Sequence, residues 1–171
     1  KLEGTLDEPA FVRDLKLLVD HDLSLDLVGG REILAFADRL AKTLPALRIV
    51  IDHLAGVRVD GRAPPAEWLE DMRALRPRPN VYFKVSGLVE GTGRSDGTAP
   101  RDVEFYRPVL DAMREMSGPE RLINASNWPV SERCASLATV EGIVGDYFRS
   151  QGRRTEEQVF ALSAKAAYRW V

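Results

Sequence analysis

Short apolar runs and amphipathic helical patterns alternate four times along this chain, and that alternation restricts its fold more than any other feature. Residues 8 to 20 (EPAFVRDLKLLVD) put Phe11, Leu15, Leu18 and Val19 on one helical face. Residues 23 to 30 (LSLDLVGG) read as a short strand ending in glycines. A helix around REILAFADRLAKTL follows, then the strand LRIVIDH at 47 to 53. The loop LAGVRVDGRAPP leads to a helix at AEWLEDMRALR, with Pro64 and Pro65 suited to its start. NVYFKVSGL (80 to 88) is a third strand, followed by the turn-rich VEGTGRSDGTAPRD. The pattern then gives a helix over 102 to 116, a strand at 121 to 126, a helix over about 136 to 150 and a last helix to about 168.

Strand followed by helix, repeated, predicts βαβ crossovers and a parallel sheet. The strands are β-branched and almost continuously apolar, as expected when both faces are covered. No linker interrupts the pattern, so residues 1 to 171 read as a single domain. An apolar share of 44% and a charged share of 29% suit a soluble globular chain. The formal charge of −2, with both signs scattered, gives no reason to expect nucleic acid or a membrane as partner. No signal peptide opens the sequence, so a cytoplasmic location is expected. The first residue is not Met, which suggests a piece of a longer chain. The single cysteine, Cys134, cannot form an internal disulfide and reads as a buried thiol rather than a nucleophile. GLVEGTG (87 to 93) has neither the GxGxxG nor the GK[ST] signature of a phosphate loop.

Alternation along each strand assigns faces. In NVYFKVSG the apolar Val81, Phe83 and Val85 belong against helices, which turns Lys84 and Ser86 inward. In LSLDLV the leucines take the helix side and leave Ser24 and Asp26 inward. Ile49, Ile51 and His53 share one face of the second strand, Val50 and Asp52 the other; Ile123, Ala125 and Asn127 share a face of the fourth. The expected result is that Asp26, His53, Lys84, Ser86 and Asn127 converge at the strands' C-terminal rim, where α/β folds place their sites. Each has a plainer role beside this one. His53 could satisfy a carbonyl, Lys84 and Asp26 could form a structural pair, Asn127 could cap a turn and Trp128 could simply pack. His21 reads as a solvated loop residue.

Three motifs at this spacing resemble the amidohydrolase-related lactonases, the family of L-fuconolactonase and 2-pyrone-4,6-dicarboxylate lactonase. LPALRIVIDHLAG resembles the family's sixth barrel strand, ending in Asp-His. RPNVYFKVSGL resembles its seventh, and GPERLINASNWPV its eighth, usually written GSDWP. FALSAKAAYRW is similar to the closing helix, with Ser163 in place of the usual Asn and Tyr168 kept. The resemblance implies the C-terminal half, strands five to eight, of a (β/α)8 barrel; a whole barrel takes about 250 residues. It also implies hydrolysis of a lactone, or a related cyclic ester or amide, of a small sugar acid or dicarboxylate by water attack on the carbonyl.

Two departures from the family pattern bear on that expectation. The strand bearing His-x-His is absent, and only His21 and His53 occur in the chain. Where the family's catalytic Asp falls, this sequence has Asn127, an amide that cannot act as a general base. Asn127 could orient a water or bond a substrate oxygen, with His53 the nearest alternative base. Lys84, Ser86, Asp26 and Trp128 would then bind a small-molecule substrate, with Arg58, Arg62, Arg94 and Arg101 at the mouth for an anionic one. The resemblance is compatible with a divalent metal such as zinc or with no cofactor; His53, or the carbonyl oxygen of Asn127, could contact such a metal, and no intact metal motif is present. The expected partner is the N-terminal half of the barrel or a second copy. The chain alone should be inactive; a half-barrel that binds without turnover is the alternative.

Overall fold

Four short strands fold side by side in the order in which they occur. In the computed structural model, which describes residues 4–170, β1 (Ser24–Leu27), β2 (Arg48–Ile51), β3 (Val81–Val85) and β4 (Leu122–Asn124) form one parallel sheet in the order β1-β2-β3-β4. Sequential order is what part of a barrel requires; a doubly wound sheet would reverse at a switch point. The register sets Asp26 beside Val50 and Val50 beside Tyr82, with Lys84 beside Ile123.

The helices connecting the strands are α1 (Pro9–Asp20), α2 (Glu32–Thr43), α3 (Ala66–Ala74), α4 (Val103–Ser117) and α5 (Leu137–Ser150). Asp102 caps α4 by accepting from Glu104 N, and Ser136 caps α5 by accepting from Thr139 N, each satisfying a donor that a helix start leaves free. One sheet face carries Ile49, Ile51, Val81, Phe83, Val85 and Leu122 into a core with Ile33, Leu40, Trp68, Leu110, Val144 and Phe148 from these helices.

The opposite sheet face is covered too. The chain closes with α6 (Arg153–Glu157), a π-helical stretch (Gln158–Leu162) and α7 (Ser163–Tyr168). Ala164 and Ala167 of α7 pack on the opposite sheet face, against Val50 and Ile123, with Tyr82 and Tyr168 beside them. Small residues let the helix approach the strands closely. Polar contacts fix its place along the strands' starts. Ser163 Oγ, fully buried, donates to Pro119 O (2.9 Å), and Arg48 Nε donates to Ala167 O (2.7 Å). Ser163, where the resemblance has Asn, therefore ties the closing helix to the turn ahead of β4. The inner face is part-covered by the chain's own C-terminus.

Candidate active site

The residues at the ends of β2 and β3 separate into two layers. In the lower layer Lys84 Nζ lies 2.5 Å from Asp26 Oδ2 and 2.8 Å from Asp52 Oδ1. The first contact is a hydrogen bond. The second is an ion contact off hydrogen-bond angle, so Asp52 Oδ1, buried, has no hydrogen-bond partner among the described residues. Tyr168 OH donates to Asp26 Oδ2 (2.8 Å), its ring 5.8 Å beneath the ammonium. Burial by itself would lower the lysine pKa; the carboxylates and Tyr168 outweigh it and hold the ammonium above the ordinary lysine range. The Tyr168 phenol is pushed up to about 12, by burial first and then by Asp26. Lys84 therefore stays charged, in contact with Asp26 and Asp52.

The upper layer begins where β2 stops. Alternation assigns His53 to the face of Ile49 and Ile51, toward the outer helices. The backbone instead turns left-handed at His53 (φ 54°), Leu54 (φ 54°) and Ala55 (φ 50°). Each such L-residue costs roughly 1–3 kcal/mol and persists only where its surroundings hold it. Leu54 and Ala55 are buried, and Trp68 Nε1 donates to Leu54 O (3.1 Å). The turn brings His53 Nδ1 to 2.7 Å from Ser86 Oγ, which is buried. Gly87 (φ 70°) completes the fit, since a Cβ there would stand 2.9 Å from His53 Cβ. Nε2 of His53 has no hydrogen-bond partner among the described residues.

Asn127 departs from strand geometry as well. β4 ends at Asn124, so the expected strand over 121 to 126 is shorter, and Asn127 is itself left-handed (φ 55°), ahead of a cis Trp128–Pro129 bond. Trp128 is 56% exposed. Asn127 Nδ2 donates to Glu90 Oε1 at 2.6 Å. Glu90 opens the 3-10 turn Glu90–Thr92 just beyond β3. Its other oxygen, Oε2, is buried and has no hydrogen-bond partner among the described residues. Two weak acids feel the charge of this carboxylate. The thiol of buried Cys134 is raised, by burial first and then by the Glu90 charge. The phenol of Tyr106 is pushed up to about 12 by burial, with Glu90 adding to it.

The sequence-predicted residues thus fall into three contact groups: Asp26 with Lys84, His53 with Ser86, and Asn127 with a residue not anticipated. Trp128 contributes an exposed ring beside them. Asp52 and Glu90 were missed. The register holds the signal for Asp52, because a residue two past Val50 falls beside Lys84; Glu90 lies in a turn, where no periodicity applies. His21, Arg58, Arg62, Arg94 and Arg101 are exposed, as expected of loop residues. Among the described residues no three His, Cys, Asp or Glu side chains are grouped to hold a metal ion. The described residues' own donors do not make a metal centre; His53 could add one ligand to a set completed elsewhere.

A parallel sheet in this order has counterparts among known proteins. The amidohydrolase family model matches residues 3–168. The chain belongs to the amidohydrolase family. It is 35% identical over 147 residues to an L-fucono-1,5-lactonase of Burkholderia ambifaria, covering 83% of this chain and 44% of that protein. An L-rhamnono-gamma-lactonase of Scheffersomyces stipitis is 28% identical over 144 residues, covering 74% and 42%. A zinc-bound amidohydrolase of Burkholderia multivorans superposes with a TM-score of 0.86 at 24% identity, over 98% of this chain and 60% of that one, which establishes the fold. The chain spans about half the length of the curated relatives it matches. Its architecture is accordingly the half of an amidohydrolase barrel that carries four consecutive strands.

Proposed function

We propose that this amidohydrolase chain supplies half of the active site of a lactone hydrolase acting on sugar-acid lactones. The observation that carries the reading is the pairing of His53 with Ser86 at the strand ends, in a family whose curated relatives here are named for sugar-lactone hydrolysis. In this reading Ser86 fixes the ring through Nδ1 and leaves Nε2 directed at the reacting groups. Water adds to the lactone carbonyl, the ring ester bond breaks and a hydroxy acid leaves. Lys84, tied to Asp26 and Asp52, stiffens the floor rather than reacting. The site is completed by the remaining barrel strands, from an N-terminal half or a second copy, so the 171-residue chain alone is expected to turn nothing over. The amide at Asn127 favours one second reading, a half-barrel that binds without catalysis.

The test is proton release from L-fucono-1,5-lactone and L-rhamnono-gamma-lactone, followed with a pH indicator, by the chain together with the half that completes the barrel. His53→Ala should lower kcat/KM about 10²–10⁴-fold. No hydrolysis of either lactone, or a rate indifferent to His53→Ala, would defeat the reading.

A further inference from the structure

Asn127 poses a chemical problem that the fold answers a few ångströms away. We propose that Glu90 supplies the proton-accepting carboxylate that Asn127 lacks, taking a proton from a water held between Glu90 Oε2 and the amide oxygen of Asn127. The inference rests on the lactone-hydrolase reading and names the residue that performs its first step.

Three observations converge on Glu90. First, the Asn127 amide donates to Oε1 at 2.6 Å, which fixes the carboxylate at the end of β4 although Glu90 belongs to the turn after β3. Second, Oε2 is buried and has no hydrogen-bond partner among the described residues. A buried carboxylate oxygen without a donor is costly, and a water or substrate hydroxyl is the natural occupant. Third, the other carboxylates of the inner face, Asp26 and Asp52, are held by Lys84, whereas Glu90 forms no ion pair among the described residues. Cys134 and Tyr106 are both shifted toward their protonated forms, by burial first, so neither competes for the base role.

The division of labour is simple. The Asn127 amide oxygen accepts one hydrogen of the water and orients it, while Oε2 accepts the other. As the water oxygen bonds to the lactone carbonyl carbon, its O–H bond breaks and the proton moves to Oε2. When the tetrahedral adduct collapses, the ring C–O bond breaks and Glu90 returns that proton to the leaving alkoxide. Lactone and water give hydroxy acid, and Glu90 ends ionised, as it began. Gly91 lets the turn sit where this requires; a Cβ there would stand 2.9 Å from Val57 O.

The experiment compares wild type, E90Q and the swap E90Q/N127D, each with the half that completes the barrel, on a panel of six-carbon aldono-1,5-lactones. Glutamine keeps an acceptor for the Asn127 amide but cannot take a proton. E90Q should lose about 10²–10⁴-fold in kcat with little change in KM. The swap, which returns a carboxylate to the pair with the contact reversed, should recover at least tenfold over E90Q. Full kcat in E90Q, or a swap no better than E90Q, overturns the assignment while leaving the lactonase reading standing. A wild type inactive on every lactone overturns both.

Discussion

Replacing Lys84 by Met tests the claim that the lower layer is structural. Methionine keeps the apolar stem and its packing but removes the ammonium between Asp26 and Asp52. At ~3 Å and an effective dielectric of ~20, each ion contact amounts to roughly 5 kcal/mol of attraction, most of it offset by the cost of taking the ions out of water. Deleting one partner of a well-buried pair costs about 3–5 kcal/mol because the other charge is stranded. Here the side-chain exposures are 20% for Lys84, 10% for Asp52 and 34% for Asp26, so solvent screens the Asp26 arm. The expected loss is therefore ~2–3 kcal/mol. The sign with pH follows from a folded-state pKa raised above the ordinary lysine value. Such a group contributes fully below ~10.4 and loses its contribution only as pH rises through the folded value. The deficit of K84M should be the same at pH 7 and pH 9. Urea unfolding followed by Trp68, buried at 2% exposure, reads it. A loss under ~0.5 kcal/mol at pH 7 would place these ions among surface pairs of little consequence and refute the structural role.

Two further outcomes test other parts of the molecule. Asp38 accepts from Lys42 (2.5 Å) and Arg78 (2.8 Å), and these bonds hold its carboxyl below the usual range although burial pushes the other way. That stability is present above ~pH 4 and is lost as pH falls through the lower folded value, so Asp38→Asn should cost about 1–2 kcal/mol at pH 7 and little at pH 2, by the same urea assay. The β1 edge carries Leu23 and Val28, 53% and 71% exposed, while β4 meets the π-helical stretch of the closing helix. The isolated chain should therefore sediment as a dimer or larger species, and Leu23→Lys with Val28→Lys should shift it toward monomer; a stable wild-type monomer would contradict this.

The parallel sheet and its strand order were legible because hydrophobic period and β-branched runs are local signals, and sequential βα units leave few topologies open. The closing helix was legible as a helix but not in its placement. Ala164 and Ala167 give only a weak apolar stripe, and nothing local says that it lies on the inner face, against Val50 and Ile123. Pairing of Lys84 with Asp26, far apart in sequence, could be anticipated because both point inward from the two strands that flank β2. Asp52 was overlooked because His53 was expected to point inward as well, and adjacent residues on a strand cannot share a face. Asp52 in fact reaches Lys84 and His53 reaches Ser86, since β2 ends at Ile51 and the backbone turns left-handed at His53.

That resolution identifies where strand periodicity ceases to inform. At His53 and at Asn127 the chain leaves the β region for left-handed backbone, φ 54° and 55°, and each side chain is re-aimed by the turn rather than by alternation. Neither position is the glycine that such backbone favours, so packing from elsewhere must maintain it: Trp68 on Leu54 O at the first, Ser131 N on Asn127 O (3.1 Å) at the second. The two side chains so placed meet Ser86 and Glu90, both contributed by the stretch that follows β3. One segment, residues 86 to 90, therefore orients the imidazole at one end and the amide at the other. A change in that turn should disturb both pairs together, whereas a change at either strand end should disturb only its own.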